Sequence, residues 1–123
     1  MRKSVAVLIG AVFGAALTTP AFMKTESVTG QLIDLACYAQ DKSNTANQHK
    51  NRGLICAQAC AREGFPVGLL TAAGRVYQVT GSLAAGSNAK LAPHMAHMVT
   101  LIGDVSEKDG QSTIAASDLK TIQ

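Results

Sequence analysis

From Val28 onward the apolar pattern resolves into five short runs of strand type, interrupted once by a helical segment carrying two cysteines and repeatedly by turn residues. Val28 to Tyr38 alternates, with Gln31, Ile33, Leu35 and Cys37 on one face and Leu32, Asp34, Ala36 and Tyr38 on the other. The mostly apolar first set predicts a strand that turns Cys37 toward the core together with Ile33 and Leu35. Gln40 to Asn51 (QDKSNTANQHKN) is almost purely polar, a loop long enough to act as a lid or mobile insertion. A helix is expected over Gly53–Glu63, stopped by Gly64 and kept from continuing by Pro66. Cys56 and Cys60, at i and i+4, share one face of it.

Val67–Thr71 and Arg75–Thr80 read as a hairpin around Gly74. Asn88 suits the cap of a short helix, Ala89–His94, limited to a turn or two by Pro93. Met98–Ser106 and Ser112–Ile122 form a second hairpin around Glu107-Lys108-Asp109-Gly110. Five strands with a helix between the third and fourth is the order of an OB-type barrel. The fold expected is therefore mainly β: a small five-stranded OB-like barrel with an added cysteine-bearing helix between strands one and two.

Residues 1–21 have the parts of a cleavable signal peptide: basic Arg2 and Lys3, an apolar stretch from Val5 to Leu17, and small residues around Thr19-Pro20-Ala21. The apolar run falls short of the roughly 20 residues a bilayer span requires. Residues 22–27 read as a frayed, flexible start and 28–123 as one domain, of a size that buries one modest core. The expectation is a periplasmic or secreted protein without stable membrane insertion after cleavage. Removal of Arg2 and Lys3 takes the basic count from 11 to 9 against 8 acids. With near neutrality, no Trp and few aromatics, the chain has neither a basic stripe nor a stacking platform, which argues against nucleic acid as a partner.

Asp34-x-x-Cys37-Tyr38, Cys56-Ala57-x-x-Cys60, Gly64-x-Pro66-x-Gly68-Leu69-Leu70, Gly74-x-Val76-Tyr77 and Asn88-Ala89-Lys90-Leu91-Ala92-Pro93-His94 together resemble a group of small exported bacterial proteins. The resemblance covers about Val28 to Val105. It implies an OB-like barrel and an exported single domain, and no established activity. Members of the group often carry a His closer to the paired cysteines than His49, and tend to have Gly in the turn where this chain has Ala96-His97.

Three cysteines in an oxidising compartment mean a disulfide plus one thiol, an intermolecular bridge, or a metal site. In the metal reading, Cys37, Cys56 and Cys60 bind copper or zinc, and His49 from the polar loop supplies a fourth ligand. In the disulfide reading, Cys37 pairs with Cys56 or Cys60 and staples the helix to the barrel, contributing roughly 2 to 4 kcal/mol. A bridge between Cys56 and Cys60 would distort the helix. A thiol-redox reading has Arg52 one turn before Cys56 but lacks the C-x-x-C spacing. His94, Met95, His97 and Met98 form a second dense set of soft and borderline ligands, with core filling and a solvated turn as the plain alternative. Asp34 is a candidate general acid or a group orienting a metal-bound ligand, against the plainer role of an exposed strand charge or a partner for Lys or Arg. No serine elbow, carboxylate dyad or phosphate loop points to hydrolysis or nucleotide binding. The expected function is thus an exported small binding module for a thiophilic metal, with no catalytic residue assigned. The alternatives are a disulfide-stapled domain that contacts an envelope protein, and a thiol-redox protein.

Overall fold

Five antiparallel or parallel pairings close one sheet on itself in the order β1-β2-β3-β5-β4. The structure is a computed structural model and describes residues 24–48 and 56–122. The strands are β1 (Lys24–Asp34), β2 (Val67–Leu70), β3 (Val76–Thr80), β4 (Met98–Lys108) and β5 (Gln111–Thr121). β3 and β5 run parallel; every other neighbour is antiparallel. This is the OB-like barrel expected. Two short helices lie between β1 and β2: α1 (Leu35–Gln40), which carries Cys37, and α2 (Cys56–Arg62), which carries Cys56 and Cys60. A one-turn segment, α3 (Ala85–Asn88), and a 3-10 turn (Ala92–His94) lie between β3 and β4.

β1 departs from expectation at both ends. Lys24–Ser27, expected to be frayed, pair with β4 in register from Lys24↔Val105 to Ser27↔Ile102. At the other end the strand stops at Asp34 instead of running to Tyr38. The reason is local: Asp34 Oδ1 accepts from the backbone N–H of Ala36 (3.0 Å) and Cys37 (3.3 Å), capping the first turn of α1. Strand alternation up to that point puts Val28, Leu32 and Asp34 on one face. Leu32 belongs to the barrel core with Leu69, Leu91, Met95, Val99, Leu101 and Ile114. Ile33, expected inside, is buried instead on the outer face, beside Leu35 over Gly68, where a Cβ would collide with the Leu35 side chain.

The β4–β5 hairpin closes through Asp109 (φ 53°) and Gly110 (φ 78°), a left-handed pair of the kind a two-residue hairpin loop needs. A register shift opposite Ile102 and Gly103 leaves Ser117 as an extra residue on β5, a bulge. Gly103 is required there, because an added Cβ would collide with the carbonyl oxygen of Ala115 and lie 2.7 Å from Ala116 Cα. Among the described residues no helix is long and apolar enough to cross a membrane.

Candidate functional site

The two cysteine-bearing helices are too short to be stable alone, and the polar loop between them supplies their missing hydrogen bonds. Asn47 O accepts from the N–H groups of Cys56 (2.9 Å) and Ala57 (3.0 Å), and Asn47 Oδ1 accepts from Gln58 N–H (3.1 Å). Three of the orphan donors at the start of α2 are thereby satisfied from one residue. Asn44 Nδ2 donates to Cys37 O (3.0 Å) at the end of α1, and Gln31 Nε2 on β1 donates to Thr45 O (3.0 Å). The described half of the loop is therefore an anchored brace, where a lid was expected. His49 lies outside the described residues, as do Arg52 and the start of the helix expected from Gly53.

The far end of α2 terminates as expected at Gly64 (φ 88°), with Gly64 N–H donating to Ala61 O (3.0 Å) and Phe65 N–H to Cys60 O (3.1 Å). These are the paired bonds of a Schellman stop. Asn88, expected to cap a following helix, does something else. It is 5% exposed with φ 57°, and its Nδ2 donates to both Ala61 O and Phe65 O at 2.9 Å. One amide thus fastens the C-terminal end of α2 to the segment after β3. Asn44, Asn47 and Asn88 were not singled out as site residues; their only sequence signal is that Asn is the residue most often found satisfying helix ends and left-handed positions.

Held at both ends, α2 covers the mouth of the barrel where Asp34 ends β1. Cys60 is half-buried, and its thiol interacts with both the Asp34 carboxylate and the Cys56 thiol. Burial, the Asp34 carboxylate and the neighbouring Cys56 push the Cys60 thiol up from 9.0 to about 12. Asp34 itself is 2% exposed. Its Oδ1 is occupied by the α1 cap, while Oδ2 is buried and accepts no hydrogen bond of ordinary geometry. Asp34 is therefore not the exposed strand charge of the plain reading.

Cys37 and Cys56 are buried, and no disulfide joins any of the three cysteines. Among the described residues no group of three or more His, Cys, Asp and Glu side chains is placed so that it could hold a metal ion. The second expected cluster is dispersed by the fold. Met95 is 0% exposed and packs in the barrel core, whereas Met98 is 45% exposed, His97 is exposed and His94 is half-buried. An alternating strand begins only at Met98, and the turn before it directs Met95 inward. Ala96 in that turn has φ 68°, the conformation that favours Gly. At the opposite end of the barrel Lys24, Glu26, Arg75, Glu107 and Ser112 line a shallow cleft of mixed charge, with the Arg75 guanidinium 5.8 Å from the Tyr77 ring centre.

Compared with protein-family models, curated proteins and solved structures, the chain matches none.

Proposed function

We propose that this protein is an exported binding module that captures a thiophilic metal ion, copper or zinc, at the barrel mouth through Cys56 and Cys60, with Cys37 completing the set. The supporting observation is that the Cys60 thiol on α2 neighbours both Cys56 and the buried carboxylate of Asp34 at the end of β1. Negative charge that raises the proton affinity of a thiol is also what draws a cation, and a bound cation reverses the balance by replacing the proton. Soft sulfur selects copper(I) and zinc over magnesium or calcium. Loading includes a side-chain rearrangement, since the thiols must turn to a common centre and give up their protons. Export to the periplasm or beyond is supported by the basic, apolar and small-residue order of residues 1–21.

Native mass spectrometry of the mature protein purified from the periplasm without chelator tests this reading. Bound copper or zinc that disappears in Cys56→Ser supports it. Metal-free protein lighter by the two hydrogens of one disulfide overturns it in favour of a stapled interaction domain.

A further inference from the structure

The barrel mouth away from α2 turns from apolar to charged within one inward position of each strand. Residues directly opposite each other in a sheet share a face, and the registers set Lys24 beside Val105, Val105 beside Ile114, and Ser112 beside both Glu107 and Tyr77. Ile114 and Tyr77 belong to the core and Val105 packs against it, so Lys24, Glu107 and Ser112 also stand on the interior side. With Glu26 and Arg75 they line a cleft of about 290 Å³ whose apolar wall is Val105. Barrel mouths are common ligand sites, and this volume suits a ligand of a few heavy atoms. The charges in the cleft are not all matched. Lys24 Nζ lies 3.8 Å from Glu26 Oε1. Arg75 is held instead by Tyr77: its guanidinium stands 5.8 Å from the ring centre and Nη1 donates to the phenol oxygen (3.3 Å). That contact uses one of five guanidinium donors. Among the described residues no carboxylate pairs with Arg75, and Glu107 makes no hydrogen bond or ion pair. One oriented cation and one carboxylate thus face the same cleft without being paired to each other.

We propose that this mouth is a second binding site, for an apolar α-amino acid, which lays its carboxylate on Arg75, its ammonium on Glu107 and its side chain against Val105. The site lies at the far end of the barrel from the cysteines and is independent of the metal reading. The planar guanidinium matches a carboxylate with two parallel hydrogen bonds, and its contact with Tyr77 reduces the ordering that binding would cost. A simple anion would be repelled by Glu107 and a simple cation by Arg75. A zwitterion satisfies both charges at once, and no covalent bond is made or broken.

The experiment is titration of L-leucine into the isotope-labelled mature protein, followed by amide chemical shifts in nuclear magnetic resonance. N-acetyl-L-leucine, which lacks the ammonium, and L-leucinamide, which lacks the carboxylate, are titrated in parallel. Saturable shifts are expected at Tyr77, Val105 and Ser112, with the amides of α2 unmoved. Each blocked compound should bind roughly tenfold or more weaker than leucine, and Arg75→Gln and Glu107→Gln should each weaken leucine by a similar factor. Arg75→Lys keeps the charge without the fork and should fall between wild type and Arg75→Gln. Both side chains are exposed, so unchanged shifts elsewhere verify the fold; Arg75→Lys and Glu107→Asp serve if a Gln variant does not fold. Shifts that never saturate overturn the site. Equal binding of leucine and either blocked compound, or leucine affinity indifferent to Arg75 and Glu107, overturns the zwitterion assignment. Neither result bears on metal capture at the other mouth.

Discussion

Replacing Asn88 separates the backbone and side-chain parts of the clasp that holds α2. Asn88→Ala removes two 2.9 Å hydrogen bonds to Ala61 O and Phe65 O. At about 1 kcal/mol each these are worth about 2 kcal/mol. Ala61 O keeps its bond from Gly64 N–H, so its own loss is softened. Ala also has to adopt φ 57°, at roughly 1–2 kcal/mol more than a residue that tolerates that region. The total expected is about 3–4 kcal/mol. Asn88→Gly restores the backbone freedom and should recover roughly 1 kcal/mol of that loss. Asn88→Asp keeps the size and the conformational tolerance but points oxygen at two carbonyl oxygens, so at neutral pH it should be at least as damaging as Ala and should improve as pH falls. The chain has no Trp, so unfolding in urea is best followed by far-ultraviolet circular dichroism. A loss of 3 kcal/mol lowers the melting temperature of a domain this size by at least about 12 °C. If Asn88→Asp matched wild type within about 0.5 kcal/mol, the amide would not be donating to those carbonyls and the clasp would be wrong.

Three further outcomes are expected. Gly103→Ala should cost about 1–3 kcal/mol or more, because the atoms its Cβ would strike belong to the backbone of β5 and cannot swing aside; urea unfolding measures this, and a neutral result would contradict the packing. Met95→Leu should change stability by less than about 1.5 kcal/mol and leave copper and zinc affinities untouched, as calorimetry would show, since Met95 fills the core. The folded state favours the protonated Cys60 thiol, so this contribution is complete below pH 9 and fades as pH rises from about 9 toward about 12. Thermal melts of metal-free, reduced wild type should therefore lose more stability over that alkaline range than melts of Cys60→Ser, and parallel pH profiles would refute it.

The barrel was legible because its signals are local and agree with one another. Asp109-Gly110 can only be a tight turn between two alternating runs, and Gly64 followed by Pro66 stops a helix wherever the helix packs. The break after Asp34 was not legible. Leu35 to Tyr38 continues the alternation of the strand before it, and what ends the strand is the use of the Asp34 side chain as a cap, a choice that periodicity does not record. The same limit explains the site. The three cysteines were visible as a set from their chemistry, but the burial of Asp34 follows from its standing on the Leu32 face beneath a helix that begins some twenty residues later. His94, Met95, His97 and Met98 failed as a group for the opposite reason: closeness along the chain says nothing about direction, and one tight turn sent Met95 into the core.

The registers of the first and last strands bear on how the protein can be handled. Lys24 pairs with Val105 and Thr121 with Val99, so the start of β1 and the end of β5 sit six positions apart along β4, about 20 Å at 3.3 Å per residue. Gln31, three residues before Asp34, pairs with Met98, which places the end of β5 at the cysteine-bearing end of the barrel and the start of β1 at the other. An oligohistidine purification tag fused after β5 would therefore hang beside Cys56 and Cys60 and compete for any ion offered to them. A tag removed by protease, or a streptavidin-type tag without metal affinity, leaves the binding measurement to the protein's own side chains.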